Sequence, residues 1–148
     1  MNSKGFTLIE LLVVISIIGI ITAISIIGLT GAREGSRDAR RKGDLELIKS
    51  GLELYKADCN NYPLTVAFPA AGSSLVGDDT SSPVCLSENT YISEIPDDPI
   101  TVARDYSYTS IDGTTYTLCA GLENDTSAKS GCGSCGTGIT CSYKVINP

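Results

Sequence analysis

The residues of this 148-residue chain that could do chemistry are six cysteines and a glutamate placed at the head of an apolar run. Cys132-Gly133-Ser134-Cys135 has the C-x-x-C spacing of a thiol oxidoreductase pair, in which a depressed thiol pKa drives disulfide exchange. The motif lies in a glycine-rich stretch, residues 131–138, and not at a helix N-terminus that would lower the first thiol. Zinc is a second chemistry for these thiols, with Cys119 and Cys141 as further ligands, but no second C-x-x-C accompanies the first. Structural disulfides are the reading we expect for Cys59, Cys85, Cys119, Cys132, Cys135 and Cys141 in a small head. Cys59 with Cys85 would tie a connecting region to a helix end, and Cys119 with Cys141 would join two neighbouring strands. There is no histidine, which excludes imidazole bases, Ser-His and Cys-His pairs and histidine metal ligands.

These residues sit in segments of very different composition. Residues 6–29 are nearly all apolar, residues 30–58 are charged and helix-prone, and all six cysteines fall from Cys59 onward. The net charge of -6 is uneven: residues 33–42 carry five basic and two acidic groups, whereas residues 43–148 carry five basic and fourteen acidic groups. A globular part that acidic argues against a nucleic-acid-binding face. Cysteines confined to one side of an apolar segment point to an oxidising compartment on that side.

Leu11 to Leu29 is a run of nineteen uncharged residues interrupted by Ser16, Gly19, Thr22, Ser25 and Gly28. As a helix it is about 28 Å long, close to the hydrocarbon thickness of a bilayer. A removed signal peptide would have a shorter apolar stretch, about 7–15 residues, followed by a small-residue cleavage site. Glu10 is anomalous in such an anchor, because a charge at mid-bilayer costs roughly 2.5–3.5 kcal/mol. Gly5-Phe6-Thr7-Leu8-Ile9-Glu10-Leu11, after a short leader containing Lys4, resembles the processing site of type IV prepilins and type II secretion pseudopilins. The resemblance implies a leader of residues 1–5, cleavage between Gly5 and Phe6 by a prepilin peptidase, N-methylation of Phe6, and an assembly role for Phe6 and Glu10. Charge alone would keep the chain beyond the helix inside, since the larger basic cluster, Arg33 to Lys42, follows the apolar run. The resemblance and the cysteines place that part outside the cytoplasm.

Beyond the anchor, Leu45, Ile48, Leu52 and Tyr55 fall on one helical face, with Ala39 as a backward extension. This stripe predicts an amphipathic helix to about Asp58, packed on a sheet; it is too short to favour a coiled coil. A continuous helix from Phe6 to Asp58 would span about 80 Å. Gly28, Gly31, Gly35 and Gly43 interrupt it, which fits close helix packing; the resemblance implies that the stretch with Gly28, Gly31 and Gly35 loosens on assembly. Residues 64–90 read as an irregular connection. Tyr106–Ile111, a turn at Asp112-Gly113, Thr114–Ala120 and Gly138–Ile146 predict a small antiparallel sheet.

Asn61-Tyr62-Pro63, Ile95-Pro96-Asp97-Asp98-Pro99, Tyr106-x-Tyr108 and Gly113-x-x-Tyr116-x-Leu118 resemble the heads of major pseudopilins and nearby pilins. The expected fold is α+β: a leader (1–5), a membrane or filament-core helix (6–29), an amphipathic helix (30–58) and a β-rich, cysteine-containing head (59–148). The resemblance implies a structural subunit and not an enzyme. It would be a single-pass membrane protein that then polymerises with its own copies, served by an inner-membrane platform, an ATPase and minor pilins. It also implies calcium, which major pseudopilins bind in the loop corresponding to residues 121–125, so Glu123, Asn124 and Asp125 are candidate oxygen ligands. The alternatives are a minor pilin or DNA-uptake pseudopilin and, from another class, a membrane-anchored thiol oxidoreductase using Cys132 and Cys135.

Overall fold

The structure, a computed structural model, describes residues 5–147, the side chains of 26–28 excepted. Residues 1–4 of the expected leader, Lys4 among them, lie outside the described residues. The order of elements is α1 (Leu8–Cys59), a 3-10 turn (Thr65–Ala67), β1 (Leu75–Val76), β2 (Thr90–Ile92), β3 (Ser107–Thr109), β4 (Thr117–Ala120) and β5 (Tyr143–Ile146). The fold is α+β. The chain divides into two compact units, residues up to Ser36 and residues from Arg37 onward.

In the first unit the side chains of the apolar run are exposed. Its hydroxyls do not face outward unpaired: Ser16, Thr22 and Ser25 donate to the carbonyls of Leu12, Ile18 and Ile21 at 2.8, 2.7 and 2.9 Å. A polar group satisfied within its own helix can enter lipid at reduced cost. The backbone stays helical through residues 28–35, and among the described residues nothing approaches the Cα hydrogens of Gly31, Gly35 or Gly43.

In the second unit the helix presents a stripe that is buried along its whole length. Leu45, Ile48, Leu52, Tyr55 and Cys59 alternate steps of three and four residues, and all are buried. Fully burying one such aliphatic side chain contributes roughly 1.5–3 kcal/mol. Backwards, the stripe runs through Arg41 and Asp38, both buried, while Ala39 is exposed. Steps of three and four from Leu45 lead to residues 41 and 38, so Ala39 falls on the solvent side. The helix ends one residue past the expected Asp58. Asn60, at φ 65, takes the left-handed conformation that terminates helices, and its N–H reaches the Lys56 carbonyl at 2.9 Å.

β3, β4 and β5 form an antiparallel sheet in sequence order. Tyr108 faces Leu118 and Leu118 faces Val145 across the strands, giving one buried row that packs with the helix stripe. The strands are shorter than expected. Thr109 pairs with Thr117, so residues 110–116 form a wide loop and not a two-residue hairpin at Asp112-Gly113. The loop is wide because it receives the chain leaving the helix: Tyr62 N–H donates to the Gly113 carbonyl at 2.7 Å, and Gly113 has φ 71. Residues 138–142 are not strand either; the Cys135–Cys141 bond holds them. The region expected to be irregular contains β1, which pairs antiparallel with β2.

β2 lies directly on α1. A Cβ at Gly51 would come within 2.1 Å of Ile92 Cγ1 and 3.3 Å of the Tyr91 carbonyl oxygen. Ile92 is β-branched and buried, so it has little room to yield. Gly51→Ala gains helix propensity of about 0.5–1 kcal/mol but overpacks this contact at about 1–3 kcal/mol. We expect a net loss of stability, read as a lower thermal midpoint of the full chain in detergent micelles, whereas Gly43→Ala, in open space, should raise it.

Candidate functional site

Three groups of residues carry the chemistry: the N-terminal turn, a buried charge cluster and the cysteines. At the N-terminus Thr7 immediately precedes the helix and Glu10 is its third residue. The Glu10 carboxylate accepts from Thr7 N–H at 2.9 Å and Thr7 Oγ1 at 2.6 Å, and Glu10 N–H donates to Thr7 Oγ1 at 3.3 Å. This is a capping box, which satisfies backbone N–H groups that the first helical turn leaves free. Thr7 is a functional residue that the reading of Glu10 as an isolated charge misses, although Thr-x-x-Glu before an apolar run is its sequence signature. Phe6 is 82% exposed, and the Gly5–Phe6 bond precedes the helix.

The second group centres on Arg41, whose side chain is 0% exposed. Its Nε and Nη2 donate to the two oxygens of Asp98 at 2.7 and 3.0 Å. Its Nη1 donates to Asp38 and to Glu123, each at 2.7 Å. Arg37 makes a second bidentate contact with Glu123, through Nε at 2.7 Å and through Nη2. Asp38 in turn accepts the backbone N–H groups of Glu123 and Asn124 at 2.9 and 3.0 Å, and the Asn124 amide at 3.1 Å. One helical turn therefore grips both the segment around Asp98 and the loop after β4. Lower down the helix, Asp44 accepts from Tyr106 at 2.7 Å, and Glu53 accepts from Tyr62 at 3.0 Å and from Tyr116 at 3.2 Å. Each head motif of the sequence thus supplies a hydrogen bond to the helix. A stripe carried back through Ala39 misses Arg41 and Asp38; their signal is a charge three or four residues back on an otherwise apolar face, a placement that demands buried partners.

The electrostatics follow the geometry. Hydrogen bonds from Arg37, with those from Arg41, outweigh burial and hold the Glu123 carboxyl down at about 2. Burial opposes ionisation of Asp38, but the N–H donors of Glu123 and Asn124 and the Arg41 guanidinium prevail, so its pKa is also lowered. Burial alone would lower the pKa of Arg41, yet its three carboxylate partners raise it.

The third group is structural. Cys59 is bonded to Cys85, Cys119 to Cys132 and Cys135 to Cys141. The expected Cys119–Cys141 pairing is not formed. Cys119 faces Lys144 across β4 and β5, so Cys141 is three residues out of register. Cys119 points away from the Tyr108–Leu118–Val145 row and joins Cys132, Cys135, Cys141 and Ile139 in a second cluster, which covers the other face of the sheet. Cys132 and Cys135 are not bonded to each other, and no thiol remains free, so neither a C-x-x-C redox centre nor a thiolate zinc site is present among the described residues.

Calcium does not fit the loop that would hold it. The Glu123 carboxylate is taken by two guanidinium groups, the Asn124 side chain donates to Asp38, and Asp125 accepts from Ser127 N–H at 2.8 Å. A hard cation needs six to eight oxygens, and among the described residues no group of three or more acidic side chains, histidines or cysteines is placed to hold one.

The family model for the prokaryotic N-terminal methylation motif matches residues 1–26. The model for type II secretion system protein G matches residues 28–132. The type II secretion system core protein G of Aeromonas hydrophila is 34% identical over 100 residues, covering 66% of this chain and 68% of that protein. Its counterpart in Escherichia coli K12 is 34% identical over 100 residues, covering 66% and 67%. In Vibrio cholerae the identity is 33% over 110 residues, covering 74% and 72%. No solved structure matches the chain. Cys135, Cys141 and β5 lie beyond the matched region.

The depressed pKa values of Glu123 and Asp38 fix the sign of the acid response. Carboxyls held below their unfolded values stabilise the fold above those values, and the stabilisation is lost as they protonate. For Glu123 the loss should run from about 4.5 down to about 2. The thermal midpoint should fall across that interval. Glu123→Gln should be less stable at neutral pH by about 1–3 kcal/mol, since it leaves charged donors short of an acceptor, and should lose less on acidification. Equal acid slopes for the two proteins would contradict the assignment.

Proposed function

This chain belongs to the type II secretion system protein G family and is a pseudopilin structural subunit, and we propose from that premise how its own residues serve processing and assembly. Prepilin peptidase cuts between Gly5 and Phe6, and the new Phe6 amine is methylated. Residues 6–29 lie in the membrane before assembly and in the filament core afterwards. Residues 59–148 form the head outside the cytoplasm. The partners are further copies of this chain, minor pseudopilins, and the membrane platform and ATPase that draw subunits from the bilayer. Calcium has no part in this reading.

The observation that carries the proposal is the capped carboxylate at the tip of an uncharged, exposed helix. Fourteen large apolar side chains from Phe6 to Leu29 open to water cannot be a resting state, so lipid or neighbouring copies must cover them. Three disulfides support export, since such bonds persist in oxidising compartments. The basic cluster after the anchor is also weaker than its count suggests. Arg37, Arg40 and Arg41 each face a carboxylate, and Lys42 lies over the Tyr143 ring at 5.5 Å. The positive-inside argument against export therefore loses much of its force.

In the lone subunit Glu10 is satisfied by Thr7, which lets a carboxylate wait at the membrane surface. On assembly it exchanges this partner for the amine of a neighbouring subunit's Phe6. Both charges leave water together, and pairing offsets a desolvation penalty of several kcal/mol per ion. That pairing favours one axial offset between copies. The glycines at 28, 31 and 35 are where the helix is easiest to loosen as subunits pack.

Two measurements test the reading. Mass spectrometry of protein from its native host should show a chain beginning at methylated Phe6; an intact N-terminus with peptidase present would overturn the processing assignment. Glu10→Gln and Glu10→Val should both insert and be cleaved but give few filaments in a shearing assay, although valine suits the bilayer better. Normal filament yield from Glu10→Val would reduce Glu10 to a helix cap.

A further inference from the structure

The loop that follows β4 presents a set of oxygens in search of positive charge: the carbonyls of Gly121 and Leu122 and the carboxylate of Glu123. In this chain nitrogen meets all of them. Arg104 Nη1 donates to the Gly121 carbonyl at 2.5 Å and lies 3.4 Å from that of Leu122. Arg37 and Arg41 bind Glu123 from the helix side. We propose that these three guanidinium groups are built-in cations that fasten the loop in place of a divalent ion, so that the head folds and keeps its shape independently of calcium.

The chain is closely packed around Gly121. A Cβ added at Gly121 would lie 3.2 Å from Arg104 Nη1, 3.0 Å from the Thr140 carbonyl oxygen and 2.3 Å from Ile139 Cγ2. Gly121 and Leu122 are buried, and Leu122 N–H is taken by Ser142 Oγ at 2.9 Å. A divalent ion would have to strip two carbonyls from Arg104, and then sit beside guanidinium charges that repel it. The guanidinium is suited to the exchange because its planar fork of donors reaches several oxygens at once and stays charged at every physiological pH. Covalent attachment adds a property no free ion has: the local cation concentration does not depend on the compartment. Arg37 and Arg41 come from the helix and Arg104 from the segment before β3, so the same three cations also fasten that segment to the loop. A subunit built this way is complete whether it stands in a calcium-poor or a calcium-rich medium.

The inference is independent of the assembly reading, because its test measures folding of the full chain and not filaments. In detergent micelles, the thermal midpoint followed by near-UV circular dichroism should be the same in millimolar calcium chloride and in chelator. A bound ion would raise it with concentration by linkage, and a rise of several degrees would overturn the proposal. Arg104→Met keeps an unbranched apolar stem and removes the charge and the donors. It should lower the midpoint and speed hydrogen exchange at residues 121–125; unchanged midpoint and exchange would also overturn the proposal. If Arg104→Met does not fold, the calcium comparison on the unaltered chain still decides the question.

Discussion

Burial of the Arg41 guanidinium on the core-facing stripe of the helix is the constraint on which the rest of the head depends. A charge with no exposed surface is tolerable only when its donors are matched, and here Asp38, Asp98 and Glu123 match them. The three acceptors come from the helix itself, from the segment after β2 and from the loop after β4. Satisfying one side chain therefore sets where two distant segments must lie. The apolar residues below Arg41 supply the stabilisation, and apolar burial by itself is non-directional. The charge cluster does not tolerate such a slide, because any shift leaves buried charges unpaired. Its contribution is register more than net energy.

The sheet works as a divider. On one side the row Tyr108, Leu118 and Val145 meets the helix stripe; on the other Cys119 anchors the glycine-rich tail through Cys132. A three-stranded sheet of three- and four-residue strands has little area to bury. Covering its second face with a disulfide cluster supplements the core on the first, since cross-links reduce the freedom of the unfolded state. The tyrosines play a related part. Tyr62, Tyr106 and Tyr116 each fill space with a ring and end on a helix carboxylate; burial first, and then the carboxylate, raises the pKa of all three and keeps their hydroxyls as donors.

The N-terminal unit follows the opposite logic. Along its apolar run the described side chains are exposed, the hydroxyls of Ser16, Thr22 and Ser25 are satisfied inside the helix and the Glu10 carboxylate is held by the neighbouring threonine. Among the described residues of that run no charge is left without a partner, and the large apolar side chains lie uncovered. Such a segment is physically incomplete alone and stable in two surroundings, lipid or the same segment of other copies. A subunit that passes from one to the other needs an anchor of this kind.

Periodicity and local chemistry determined much of this from the sequence alone: the apolar run, the helix stripe through Leu45, Ile48, Leu52 and Tyr55, the processing motif and an antiparallel sheet after it. Those features depend on residues a few positions apart, and the physics that sets them acts at that range. The capping box of Thr7 and Glu10 was equally local. Strand ends, the wide loop at residues 110–116, the β1–β2 pair and the cysteine connectivity were decided by tertiary structure. Cys119 joins Cys132 because strand register carries Cys141 out of reach, and register is a property of the whole sheet. The Arg41 cluster shows the same division most clearly. A buried charge at that position could be read from the helix face it occupies, but its partners lie 57 and 82 residues away. Only the folded chain brings them together, and in doing so it sets two guanidinium groups on Glu123, in the loop for which the family resemblance implied calcium.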